Sequence, residues 1–155
     1  VIAVRLEPFE VRMAASVAIE RRIASMGRLH HAYGYDGANQ WENEIQSAAA
    51  EMAVGKALGR YWDGSVNTFK RGDVGDVQVR WTAWPNGHLQ IRPGDADDDT
   101  FILVRGSIPK FTVVGWFVAR EAKRPDWEWD DNGRPTIYRV PNDQLHLMGD
   151  TAVAA

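Results

Sequence analysis

Apolar residues recur along this chain at two periods, and the change between them divides it into a helical and a strand-forming part. From Glu10 to Met26 the residues Ala15, Ile19, Ile23 and Met26 return at helical spacing, Glu20, Arg21 and Arg22 take polar positions, and Gly27 is a natural stop. His30 to Asn39 reads as a loop rich in Gly and Tyr. A second helix is predicted from about Gln40 to Leu58, with Asn39 as cap, Glu42 and Glu44 in the first turn and Gly59 at the end.

After residue 61 the period falls to two. Val77, Val79 and Trp81 alternate with Gln78, Arg80 and Thr82, and a turn at Pro85-Asn86-Gly87 leads into Leu89 and Ile91. Gly94 to Asp99 is a second turn before a strand Phe101–Arg105. The nearly unbroken apolar run Phe111–Val118 suits a strand covered on both faces. Thr136–Val140 reads as a last strand and Asn142–Met148 as a short closing helix. Helices first, then a strand meander, define an α/β fold bordering on α+β, with a mixed central sheet flanked by helices. The expected organisation is one domain over residues 1–149 and a tail over 150–155.

Composition narrows the function classes. The 155 residues are 45% hydrophobic and 25% charged, as in ordinary globular domains, and contain no cysteine, which excludes disulfides, thiol nucleophiles and zinc ribbons. No apolar run reaches the ~20 residues of a membrane-spanning helix, and Val1–Glu10 is too short and too charged for a signal peptide. A soluble, cytoplasmic protein is the expectation. The net charge of −3 gathers in the second half: residues 1–72 carry nine basic and eight acidic side chains, residues 73–155 nine and thirteen. Any contact with nucleic acid must then be local, through a groove or a bridging metal ion.

Four side chains stand out together. Glu51 lies within the second helix beside the apolar stripe Ile45, Ala48 and Met52, where the small Ala48 and Gly55 would let the helix approach the sheet. Asp73 precedes a Gly-assisted turn in Gly72-Asp73-Val74-Gly75. Gln78 and Arg80 share one face of a strand whose other face carries Val77, Val79 and Trp81. Asp76 shares strand parity with Gln78 and competes with Asp73, although it also fits a turn tip.

The order Ala50-Glu51-Met52, then Lys70-Arg71-Gly72-Asp73, then Val77-Gln78-Val79-Arg80 resembles the PD-(D/E)XK, or restriction-endonuclease-like, nuclease superfamily over about residues 44–84. Most of the chain is also similar to small phage proteins with an Asp-Val-Gly…Val-Arg core. The resemblance implies a restriction-endonuclease-like sheet and Mg²⁺- or Mn²⁺-dependent hydrolysis of phosphodiesters in DNA, with RNA as the other candidate. Asp73, the Gln78 amide oxygen and the Val79 carbonyl would ligate the metal, Glu51 would assist through water or a second ion, and Arg80 would stabilise developing charge. Gln78 stands where the superfamily more often has Glu, and Arg80 where it has Lys; Arg keeps its proton and cannot act as a base. Two readings follow: an active nuclease, or a catalytically degenerate, non-enzymatic binding or oligomeric interaction domain, for which a homodimer is one form.

Lys56, Arg60, Lys70 and Arg71 adjoin the candidate site and are the expected backbone contacts of a nucleic acid. Asp95–Asp99 does not match a calcium loop, since Thr100 and Gly106 fall where Gly and Glu are needed, so a solvated hairpin loop is expected. His30, His31, His88 and His146 lack partners at metal-ligand spacing. Of the seven tryptophans, Trp62, Trp81 and Trp116 are expected in the core, whereas Trp84, Trp127 and Trp129 fall in or beside loops, where Trp can stack on bases.

Overall fold

The computed structural model describes residues 1–26, 39–66, 72–130 and 133–149; the expected His30–Asn39 loop, apart from Asn39, lies outside them, as do Lys70, Arg71 and the tail. Strand β1 (Ile2–Arg5) leads into α1 (Pro8–Ser25), which is followed by α2 (Gln40–Leu58). Strands β2 (Val77–Thr82), β3 (Leu89–Ile91), β4 (Thr100–Ser107) and β5 (Lys110–Val118) come next, then the short α3 (Ala119–Ala122), β6 (Glu128–Trp129) and β7 (Ile137–Val140). This is an α+β fold with a mixed central sheet in the order β1-β5-β4-β2 and a smaller antiparallel sheet in the order β3-β7-β6.

Helix α1 starts two residues earlier than its apolar pattern suggests. Pro8 has the backbone angle of a first helical residue, and the Glu10 carboxylate accepts the Glu7 N–H at 2.6 Å. Its buried face is also different: Ala14 and Ala18 are fully buried, while Ile19, Ile23 and Met26 stay exposed. Small side chains win because α1 lies against α2, whose residues Ala48 to Gly55 are buried without a break. Gly55 admits the returning chain instead of the sheet, since a Cβ there would meet the Arg60 carbonyl at 3.1 Å and Trp62 Cβ at 3.3 Å.

The expected strand meander is replaced by a crossover. β2 pairs with β4 in parallel, Val77 opposite Thr100 through Thr82 opposite Arg105. β3 leaves the central sheet to pair with β7. The reason lies in β4, where Phe101 to Val104 are all buried: a strand apolar on both faces needs a cover on each. Ile102 and Val104 join the core under α1 and α2. Phe101 and Leu103 join a second core with Leu89, Ile91, Phe117 and Val140, roofed by the small sheet and α3. Trp62 and Trp116 are buried and Trp81 packs partly against the first core, as expected.

Among the described residues beyond β7 only a 3₁₀ turn forms, at Asn142–Gln144, not the expected closing helix. His146 instead exchanges both main-chain hydrogen bonds with Trp116, at 3.0 and 3.1 Å, extending the sheet edge past β1. Gly115 permits this: a Cβ there would lie 2.6 Å from the His146 carbonyl oxygen. Gly115→Ala is expected to cost about 2 kcal/mol in urea unfolding and to remove the hydrogen-exchange protection of the His146 amide.

Candidate active site at the edge of strand β2

β2 is an edge strand of the central sheet, and the turn before it folds back on it. Val74 and Val77 exchange main-chain hydrogen bonds. Gly75 takes φ +66°, and a Cβ at Gly72 would sit 2.7 Å from the Val77 backbone, so both glycines are needed for so tight a return. The turn delivers the Asp73 carboxylate to the strand, where its Oδ2 accepts the Val79 N–H at 2.7 Å. A residue's N–H and C=O leave a strand on the same side, so the Val79 carbonyl also faces this edge. Asp76 points elsewhere, an exposed turn-tip carboxylate 2.6 Å from Arg60.

Gln78 and Arg80 share the face that covers the second core. The parallel register places Asp99, just ahead of β4, beside the start of β2, and the Gln78 amide nitrogen donates to Asp99 Oδ2 at 3.3 Å. Arg80 is held over the Phe101 ring at 4.5 Å, and its guanidinium meets both oxygens of Asp95 at 2.9 and 3.0 Å. The aspartate loop is thus tethered through Asp95, while Asp97 and Asp98 are largely exposed, as expected of a solvated loop. Asp95 also accepts the Arg92 N–H, Asp97 pairs with Lys123, and Asp98 with Arg120.

Glu51 is on the other, helix-covered side, 6% exposed. Arg21 forks onto both of its oxygens at 2.7 and 2.9 Å, and the Trp62 indole N–H donates to one of them at 3.0 Å. Arg21 was not among the residues singled out above, yet it falls seven after Ala14 and three after Ala18, on the same buried face. Lys56 is engaged by Glu10 and the Arg5 carbonyl. The structure therefore gathers Asp73, Gln78, Val79 and Asp99 at one strand edge, with Glu51 and Arg80 on opposite faces of the sheet.

The electrostatics are those of crowded carboxylates. Burial raises the pKa of Asp73 above the usual range, against the Val79 N–H and the charges of Arg80 and Arg21, and Asp99 pushes it further up. Burial raises Glu51 as well, against the Arg21 fork, with the Asp73 charge adding to the rise. Burial works against the charge of Arg21, but its bonds to Glu51 outweigh that and keep it firmly protonated. The two carboxyls therefore titrate together above the ordinary range, with the Arg21 fork favouring the ionised form of Glu51.

Mg²⁺ typically takes one or two carboxylates and keeps several waters. Asp73, Asp99, the Gln78 amide oxygen and the Val79 carbonyl are hard oxygen donors of that kind. Glu51 does not suit direct ligation, because Arg21 and Trp62 already occupy its oxygens. Among the described residues no three acidic, histidine or cysteine side chains form a cluster able to hold a metal, so such an ion would lean on the amide and main-chain oxygens. Comparison with family models, curated proteins and solved structures finds no match. Among the described residues no helix is long and apolar enough to cross a membrane.

Proposed function

We propose that this chain is a metal-dependent nuclease that hydrolyses phosphodiester bonds in DNA, of the restriction-endonuclease-like kind. If of phage origin, it would work in the host cytoplasm. The observation that supports this most is the Asp73 carboxylate, held at the edge of β2 by the Val79 N–H with the Gln78 amide and Asp99 beside it. A bound Mg²⁺ or Mn²⁺ ion would polarise the phosphate and acidify its water. Asp73 would anchor such an ion, with Asp99 and Gln78 completing its polar surroundings. Arg80 keeps a permanent positive charge next to the site, fixed by Asp95 and Phe101, and can stabilise charge but not remove a proton. Arg21 holds Glu51 in place on the helix side.

A second reading, a domain that binds nucleic acid without cutting it, draws on two observations: the Glu51 carboxylate is fully engaged, and Arg80 is already paired with Asp95. Plasmid nicking and Mn²⁺ titration calorimetry separate the two. Nicking supported by Mg²⁺ or Mn²⁺ and abolished by EDTA, with a saturable Mn²⁺ heat, is the expected result. DNA binding with neither cleavage nor heat would leave only the second reading.

A further inference from the structure

Helix α1 turns its larger apolar side chains away from the protein. Ala14 and Ala18 are buried against α2, while Phe9, Met13, Ile19, Ile23 and, just past the end of the helix, Met26 stay exposed, Phe9 and Ile23 to 55% and 57%. Tyr61, 88% exposed, stands beside Phe9 and Met13 at a shallow cavity of about 440 Å³. A helix that only had to cover α2 would carry polar residues on this face. Side chains of this size, about half exposed or more, together present on the order of 600 Å² of apolar surface, the upper end of what a monomer leaves open in one patch.

The face is patterned to meet itself. Phe9, Ser16 and Ile23 are seven residues apart and run down its middle. Arg12 and Glu20, both exposed, stand four residues to either side of Ser16. At 1.5 Å of rise per residue they are about 12 Å apart, too far to pair with each other. Neither makes an ion pair among the described residues.

We infer that this face seats a second copy of the chain, the two α1 helices lying antiparallel about a two-fold axis at Ser16. A two-fold interface needs one patch that is complementary to itself after a half turn. That rotation sets Phe9, at the mouth of the cavity beside Tyr61, against Ile23 of the second copy. It also sets Arg12 level with Glu20 of the second copy, and this happens twice. On the axis Ser16 is small, and its hydroxyl already donates to the Arg12 carbonyl at 2.9 Å, so the helices can approach without stranding a polar group. Each partner in a stable interface contributes about 800 Å², most of which the apolar patch supplies. The rim charges add little affinity but fix the register. They also select the occupant: one cation and one anion at equal distance from the centre suit a copy of the same helix, whereas a membrane surface or a nucleic acid would be met by cations alone. The inference rests on α1 and stands whether or not the chain cuts DNA.

The test is sedimentation equilibrium of the full chain over about two decades of micromolar concentration. Wild type is expected to reach twice the chain mass of 17.4 kDa. Ile23→Ser, at an exposed position, should weaken association about tenfold or more with an unchanged circular-dichroism spectrum. Arg12→Glu and Glu20→Arg should each weaken it alone, because like charges then face each other across the axis. Mixing these two variants should restore it, since both pairs in the mixed dimer join opposite charges, a result that packing alone would not give. A wild type that stays monomeric, a dimer that Ile23→Ser leaves intact, or a mixture that associates no better than its components would overturn the inference.

Discussion

Arg21→Met is expected to destabilise the protein by about 3 kcal/mol at neutral pH, measured by urea unfolding. The size follows from removing one partner of a buried ion pair, which leaves the other charge unpaired in a poor solvent. Glu51 would retain only the Trp62 indole N–H, and Asp73 would still repel it. The sign of the pH dependence is fixed by the same geometry. A carboxyl whose folded pKa is raised contributes stability that is full below its unfolded value and is lost as pH climbs through the folded value. Loss of Arg21 raises Glu51 further, so the deficit should shrink as pH falls toward the ordinary carboxylate range near about 4. Wild type should show a weaker form of this trend through Asp73 and Glu51. Glu10 opposes it: despite the upward push of burial, Lys56 and the Glu7 N–H hold its pKa low, though from a surface position open to screening. Adding Glu51→Gln to Arg21→Met keeps an acceptor for Trp62 and removes the orphan charge. The double variant should return to within about 1 kcal/mol of wild type. A deficit that is the same at all pH values, or a double variant no better than the single one, would show that Arg21 acts by packing alone.

The elements are legible in the chain because each rests on a local period: the two helices, the Val77–Thr82 and Leu89–Ile91 strands, and the apolar run of β5 all stand where the spacing puts them. What the spacing cannot carry is partnership. A Pro-Asn-Gly turn between two alternating strands looks like a hairpin, yet β2 pairs in parallel with β4, whose doubly buried face draws β3 away to roof it. Asp99 owes its place beside Gln78 to that pairing, so it escapes any reading confined to residues 44–84. Side-chain size misleads in α1 for a similar reason. Hydrophobicity favours Ile19 and Ile23 as the inner face, but two helices in close contact select alanine, and Arg21 follows Ala14 and Ala18 inward. Asp73 and the alternation around Gln78 and Arg80 were legible because a turn and a strand parity define them locally.

Asp73→Asn is the substitution with the largest expected effect on the proposed chemistry, and it should move activity and stability in opposite directions. Asparagine keeps a side-chain oxygen to accept the Val79 N–H, so the turn can close as before, but it withdraws the negative charge that a divalent ion would need. Cleavage should fall about a thousandfold or to background, the scale of several kcal/mol of transition-state stabilisation, and the Mn²⁺ heat should vanish. Stability should rise by about 1 kcal/mol at neutral pH, because the folded state no longer houses a carboxylate whose raised pKa marks it as costly to ionise there. The gain should disappear as pH drops below the ordinary carboxylate range, where wild-type Asp73 is protonated in folded and unfolded chains alike. A group retained at such a cost, at a strand edge among other oxygen donors, is what a cation site requires, and stabilisation on its removal is the usual mark of a functional residue. An Asp73→Asn protein that cuts as wild type does would remove Asp73 from the chemistry. One that loses stability at neutral pH would make Asp73 a structural clasp for Val79 and nothing more.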